Sequence, residues 1–275
     1  MRFTKMHGAG NDYIYFDCFE QDVENPSALA IRLSDRHKGI GGDGIVLILP
    51  SKAAEAKMRM FNADGSEGKM CGNAIRCVAK FLFDRKRVGN SLTIDTLSGI
   101  KHLEIIDCDK DGKAVSVRVD MGAPILKPAL IPVKADGDKV VSRPFDISGV
   151  SYKVTCVSMG NPHAVVFVDD VAGFDVAGVG RQFEKNTVFP EGVNTEFVEC
   201  IDNNTVKMRV WERGSGETMA CGTGACATVV ACVLCGKTGR KVKVKLLGGD
   251  LDIEYGDTVL MTGGATEVFT GEIDI

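Results

Sequence analysis

Two cysteines stand apart from the other eight by what surrounds them. Cys71 follows the loop NADGSEGKM and Cys221 follows ERGSGETMA, and each is succeeded by a glycine that opens an apolar run. A thiol at the start of a helix meets free backbone N–H groups and the positive end of the helix dipole. Both favour an anion, so both thiols are expected to have lowered pKa values. Moving a thiol from about 8.5 to about 7 takes roughly 2 kcal/mol of preferential thiolate stabilisation, the upper end of what a helix terminus supplies. A neighbouring group is therefore expected to help. Two such thiols suit one reaction in particular: inverting a tetrahedral carbon needs one group to take a proton from one face and another to deliver one to the opposite face. When an α-proton leaves an amino acid, the charge spreads onto its carboxylate, and the amides of Gly72, Asn73, Gly222 and Thr223 would receive it.

A single cysteine of this kind reads more simply as a small buried hydrophobe. The pairing changes that reading, because the two occupy equivalent places in a duplicated chain. Glu67-x-x-x-Cys71-Gly72 recurs as Glu217-x-x-x-Cys221-Gly222, and 221 − 71 is 150. Gly10-Asn11 recurs as Gly160-Asn161 at the same offset of 161 − 11. After Cys71, Ile75, Val78, Ala79, Leu82 and Phe83 fall on one helical face, and Ala225, Thr228, Val229, Cys232 and Val233 take the same places after Cys221. Each Cys-Gly is predicted to begin a core-facing helix. A pseudo-twofold axis would bring the equivalent loops, and so both thiols, to one substrate atom.

The elements that must position them read as strands. They are FTKM, YIYFDC, IVLIL, KMRMF, LTIDTL, KHLEIIDC and AVSVRVDM in the first half, and YKVTCVSM, HAVVFVD, TEFVECI, TVKMRVW, KVKVKLL, LDIEYG and TVLMTG in the second. Asn25-Pro26 caps a further helix through ALAIRL. The fold class expected is α/β (α+β). Two pseudo-symmetric domains, 1–120 and 121–263, would each place a barrel-like, mostly antiparallel sheet around a central helix, with the active site in the interdomain cleft. The tail, 264–275, would return to the first domain as an added strand.

Composition narrows the alternatives. Charged residues are 25% and apolar ones 44%, with a formal net charge of −4, which leaves no basic footprint for nucleic acid. No stretch approaches the roughly 18 apolar residues of a membrane span, and the N-terminus lacks a leader-like apolar core, so a cytoplasmic protein is expected. The 10 cysteines lie inside apolar runs such as VACVLC, a usage that fits a reducing compartment. Gly39-Ile40-Gly41-Gly42-Asp43-Gly44 satisfies G-x-G-x-x-G, yet it follows a helix and enters a strand, the reverse of the order a dinucleotide site requires. It reads as a glycine-rich turn. Cys232-x-x-Cys235 lacks the two further ligands of a zinc site and reads as packing within the second helix, and His7, His37, His102 and His163 form no ligand motif. No metal and no cofactor are expected.

GAGNDYI, FNADGSEGKMCGN, MGNPHAV, GVNTEFVE and WERGSGETMACGTGA, in this order and across essentially the whole chain, resemble diaminopimelate epimerase. The resemblance implies a homodimeric isomerase independent of pyridoxal phosphate that interconverts LL- and meso-diaminopimelate, on the route to lysine and cell-wall peptide. It implies Cys71 and Cys221 as the acid/base groups, with His163 and Glu212 supporting them. It implies substrate contacts from Asn11, Asn62, Asn161, Asn194, Glu212 and Arg213 and from the backbone of Gly72-Asn73 and Gly222-Thr223. Arg213 would offer a planar fork to the second carboxylate. Taken alone, Asn62 reads as part of a turn before Asp64-Gly65, and Arg213 as a solvated charge. Gly44 stands where a glutamine touching substrate is common, and Ala74 where a glycine is common. Proline racemase and hydroxyproline epimerase are rivals of similar fold, but their first loop reads CGH. Acyl transfer by Cys71 and His163, or a thiol-rich metal or redox protein, leaves the second cysteine and the repeat unexplained.

Overall fold

The computed structural model describes residues Met1–Asp274. The chain divides into two compact units, Met1–Asp120 with the segment from Thr262 on, and Met121–Met261. Unit 1 contains β1 (Arg2–Gly8), β2 (Asn11–Asp17), α1 (Pro26–Ser34), β3 (Gly44–Leu49), β4 (Ala56–Asn62), β5 (Glu67–Gly68), α2 (Gly72–Asp84), β6 (Ser91–Asp95), β7 (Lys101–Cys108) and β8 (Ala114–Asp120). Then come β9 (Arg143–Ile147), β10 (Val150–Ser158), β11 (Pro162–Phe167), α3 (Val176–Glu184), β12 (Asn194–Asp202), β13 (Thr205–Glu212) and β14 (Gly216–Thr218). The chain ends with α4 (Gly222–Leu234), β15 (Lys241–Leu246), β16 (Gly249–Tyr255), β17 (Val259–Gly264) and β18 (Thr266–Glu272). Among the described residues no helix is long and apolar enough to cross a membrane.

The 150-residue offset is written into strand register. Ile14 pairs with Ile45 in the parallel β2–β3 ladder, and Ala164 with Thr195 in β11–β12. Ile45 meets Phe61 across β3–β4, and Thr195 meets Trp211 across β12–β13. The parallel pairings Ala56 with Ile94 and Val206 with Val244 match as well. Since slipping a strand by one residue turns its apolar side chains to the other face, a shared register means a shared assignment of inner and outer positions. One hairpin departs from the rule. Gly8 pairs with Asn11 in unit 1, whereas Ser158 pairs with Pro162 in unit 2, so the second turn is one residue longer and carries Asn161 in the loop.

The remaining edge is closed differently in each unit. The tail strand β18 pairs antiparallel with β1, from Arg2 opposite Glu272 to His7 opposite Thr266, whereas β10 pairs with the preceding strand β9. The last residue of the predicted tail strand, Ile275, lies outside the described residues.

The central helices are more deeply buried than a one-faced pattern predicts. Every residue of α2 from Gly72 to Leu82 is buried, Arg76 and Lys80 included, while Phe83, expected on the core face, is only half-buried. The helix touches β1, β2, β7, β8 and β18, so the sheet surrounds it and no side faces water. Buried charge is tolerated only where it is bonded. Arg76 donates to the carbonyl of Gly72 and to Asn73 Oδ1, each at 3.0 Å, and Lys80 Nζ donates to the carbonyl of Ala114 at 2.5 Å and pairs with Asp84 at 2.8 Å. In α4 the matching places are Cys226 and Val230, both at 0% exposure, and that helix carries no charged residue. Cys232 lies within α4, but Cys235 is its C-cap and sits half-buried with Sγ 3.3 Å from Thr155 Oγ1.

Helix α1 begins as its sequence predicts, with Asn25 Oδ1 accepting from Ala28 N at 3.2 Å and proline in the first turn. Helix α3 has no counterpart among the predicted elements. Its cap, Asp175, accepts from Gly178 N at 2.9 Å. Two glycines in VAGVGRQFE dilute the apolar spacing, and only Val176, Gly180 and Phe183 are buried.

Candidate active site

In unit 1, Cys71 is the N-cap of α2, with extended backbone (φ −131°, ψ 121°). Its Sγ lies 3.3 Å from Asn11 Oδ1, which also accepts from Asn73 Nδ2 at 3.5 Å. The orientation of the Asn11 amide is set from behind, because Asn11 Nδ2 donates to Asp43 Oδ2 at 2.6 Å and so leaves the oxygen facing the sulfur. Asp43 is held in turn by Arg36 at 2.9 Å, and Arg36 and Lys5 both pair with Asp12. Burial pushes the Asp12 carboxyl upward, and its bonds to Arg36 and Lys5 more than offset this, so it stays below the usual carboxylate range.

Asp43 belongs to the glycine-rich stretch 39–44, which forms a turn, as its composition predicts. The turn also places Asp43 behind Asn11, and it can do so only by lying close against α1 and β1. A Cβ on Gly39 would sit 2.6 Å from the carbonyl of Leu33, and one on Gly42 2.8 Å from Lys5 Nζ. At Gly44 a Cβ would fall 2.0 Å from the carbonyl of Phe61, so no side chain fits there without moving β4. Ala74, with its extra methyl, is fully buried in α2, and its carbonyl accepts from Tyr15 Oη at 3.4 Å. The Asn62 side chain serves the 62–66 turn, where it donates to Ser66 Oγ at 3.0 Å.

In unit 2, Cys221 is the N-cap of α4 and is buried. Its Sγ accepts from Gly224 N at 3.3 Å and lies 3.4 Å from Thr223 Oγ1. Glu212, at the end of β13, receives the Thr218 hydroxyl at 2.5 Å and also takes a hydrogen bond from the Cys221 thiol. Asn161 Nδ2 donates to Thr223 Oγ1 at 3.2 Å, while Asn161 Oδ1 lies 3.0 Å from His163 Nε2. The structure thus joins Cys221, Glu212, Thr223, Asn161 and His163 in one group. Asn194 serves the backbone beside it, donating to the carbonyl of Pro162 at 3.0 Å and accepting from Arg213 N at 2.9 Å. The Arg213 guanidinium is exposed, donates to the carbonyl of Glu191 at 2.6 Å, and has no carboxylate partner among the described residues.

The electrostatics correct one expectation. A helix start was expected to lower both thiols, but burial raises the Cys221 thiol well above its ordinary value, and the charges of Glu212 and Glu196 add to the effect. The bonds from Thr223 and Gly224 pull the other way and do not prevail. Burial likewise raises Glu212 above the usual glutamate range, against the bonds from Thr218 and Cys221. A helix dipole is worth about 2 kcal/mol at most, and the desolvation of a thiolate in a fully enclosed place is larger.

The glutamate of each repeat, Glu67 and Glu217, is a support. Glu67 accepts from Arg59 Nε and Nη2 at 2.7 and 3.0 Å, and Glu217 from Arg209 at the same two distances. Each bidentate pair ties the loop before the cysteine to the neighbouring long strand.

The fold defines a class. It is shared along the full chain with a Bacillus anthracis protein of the PhzF phenazine-biosynthesis family (TM-score 0.71, 18% identity, 99% of that chain covered). It is also shared with a probable proline racemase from Agrobacterium radiobacter (TM-score 0.69, 15% identity, 93% covered). Within that class, the diaminopimelate epimerase family profile matches residues 3–127 and 155–268, and the chain belongs to that family. It is 59% identical to the diaminopimelate epimerase of Acetivibrio thermocellus and 57% identical to that of Methanococcus maripaludis. The alignments cover 100% of this chain, with 99% and 100% of the respective relatives.

Proposed function

We propose that this protein interconverts LL- and meso-diaminopimelate, in lysine and cell-wall precursor biosynthesis, by two-base proton transfer between Cys71 and Cys221. The observation that carries the mechanism is that two equivalent helices, in a chain of this family, each begin at a cysteine whose sulfur faces a bonded polar group. One thiol removes the α-proton, the other delivers its own to the opposite face, and the amides that open α2 and α4 receive the charge that spreads onto the carboxylate. A two-base cycle starts with one thiol protonated. Cys221 fits that state, because enclosure disfavours its thiolate, and Glu212, itself raised, is placed to take its proton when the cycle runs the other way. Arg213 takes the distal carboxylate, and Asn194 fixes the backbone from which it extends.

The proposal needs neither metal nor pyridoxal phosphate, since thiols handle the proton and amides the charge. It includes a homodimer, as the family resemblance implies, and a cytoplasmic location, which the cysteine usage suits. Purified protein treated with chelator and hydroxylamine, then given LL-diaminopimelate, should yield the meso isomer at the untreated rate on stereoisomer analysis. Activity that is lost and then restored by pyridoxal phosphate or zinc would overturn the reading.

A further inference from the structure

Unit 2 contains a buried histidine–glutamate hydrogen bond that has no equivalent at the matching positions of unit 1. His163 on β11 and Glu196 on β12 both have 0% exposure, and His163 Nδ1 lies 2.7 Å from Glu196 Oε1. The residues 150 positions earlier are Tyr13 and Val46. Buried polar groups are costly to desolvate, and unit 1 builds the same two strands without this pair, so folding alone does not account for it.

The pair stands at the far end of a row of hydrogen bonds whose direction is determined by its members. His163 Nδ1 and Glu196 Oε1 hold one hydrogen between them, whichever of the two carries it. An amide oxygen only accepts, so His163 Nε2 donates to Asn161 Oδ1 at 3.0 Å. An amide nitrogen only donates, so Asn161 Nδ2 gives its hydrogen to Thr223 Oγ1 at 3.2 Å. The Thr223 hydroxyl, having accepted there, has its own hydrogen left for Cys221 Sγ at 3.4 Å. Gly224 makes room for this arrangement, since a Cβ on it would lie 2.6 Å from Glu196 Oε1 and 3.2 Å from Cys221 Sγ.

We propose that Glu196 is a positioning residue for Cys221: acting through His163, Asn161 and Thr223, it aims a hydroxyl hydrogen at the sulfur and so orients the thiol for proton transfer. The inference rests on the two-cysteine reading above. It concerns a residue with no expected contact to substrate, and it gives unit 2 a device without a counterpart in unit 1.

A double-mutant cycle on the full-length enzyme tests it. Glu196→Leu and Thr223→Val should each lower kcat by about tenfold or more, with KM within about twofold of wild type, because each cuts the same row. The combined variant should be no worse than Thr223→Val alone, within about twofold. Glu196→Gln, whose amide oxygen still accepts from the ring, and Thr223→Ser, which keeps the hydroxyl, should each retain most of the activity. Additive losses in the combined variant, or a Glu196→Gln enzyme as slow as Glu196→Leu, would overturn the proposal. If Glu196→Leu fails to fold by circular dichroism, His163→Gln replaces it in the same cycle, since it interrupts the row one step later. Cys221→Ala, measured alongside, separates the two claims: if that variant remains active, the two-cysteine reading itself has failed.

Discussion

The two halves of this molecule share a backbone and differ in what lies around the sulfur. The loop before each cysteine is pinned by an arginine–glutamate pair with the same two distances, and the ladders keep the same register. Cys71, however, remains partly exposed beside an asparagine held by Asp43 and Arg36, whereas Cys221 is enclosed with two carboxylates and a histidine nearby. Duplication supplied two equivalent positions, and local polarity made them chemically unequal. A reaction that needs one protonated and one deprotonated group is served by that inequality: each turnover exchanges the two protonation states, and the unequal surroundings favour return to the starting one.

The most severe way to break the comparison is to remove one sulfur. Cys71→Ala and Cys221→Ala should each lower epimerisation by about 10²- to 10⁴-fold, the usual contribution of a positioned acid or base. A variant that loses less than tenfold in a stereoisomer assay would show that its half is dispensable. Arg213→Met should be next, with kcat/KM reduced about 10- to 100-fold, since a charge-assisted contact is lost and the distal carboxylate is left unpaired. Near-normal kinetics would instead suit a substrate with one carboxylate.

The inequality of the thiols has a pH signature. In a Cys71→Ala background, alkylation of Cys221 should rise only at pH values above those that activate a free cysteine, because its folded state favours the thiol. Glu212→Gln removes one of the charges responsible, so the same curve should move toward lower pH. An unchanged curve would remove Glu212 from the account. The same substitution should affect stability with a definite sign. Glu212 is raised in the folded state, so folding favours its protonated form and loses stability as pH rises through and above the ordinary glutamate value. Glu212→Gln should therefore gain on wild type as pH rises through that range, and show no such gain in more acid solution, in urea melts.

The smallest effect concerns how the two central helices end. After α2, Lys86 adopts a left-handed conformation (φ 57°) and donates to the carbonyl of Phe83, while after α4 the same place is Gly236 (φ 66°), which donates to the carbonyl of Val233. Glycine takes that conformation without steric cost. Lys86→Gly should stabilise the fold by about 0.5 kcal/mol, and Gly236→Ala should destabilise it by about 1 kcal/mol, both measurable in denaturant titrations.

Much of this architecture was legible because it rests on periodicity. Alternating strands, the asparagine cap of α1 and the duplicated cysteine loops are local patterns that survive without knowledge of tertiary contacts. The strands β5 and β14 were missed because Glu67–Gly68 and Gly216–Thr218 are too short to carry a period, and β9 because Pro144 interrupts it. The residues behind the cysteines were harder to see. Asp43 reaches Asn11 across 32 positions of chain, and its glycine-rich setting pointed only to a turn. Glu196 sat in plain view within NTEFV, and a carboxylate among residues that all proved buried was the available signal. The raised Cys221 thiol was not readable at all, because a helix start is a local feature and enclosure is not.

The central claim is that two different sulfurs serve the two faces of one carbon, and isotope flow in the first turnovers tests it most directly. When the reaction starts in heavy water from unlabelled LL-diaminopimelate, the thiol that delivers hydrogen has already exchanged with solvent. The meso product should therefore carry deuterium at the inverted carbon from the outset, while recovered substrate stays almost unlabelled. A single base serving both faces would return solvent deuterium to either side. Early substrate and product labelled to the same extent would contradict the two-cysteine account.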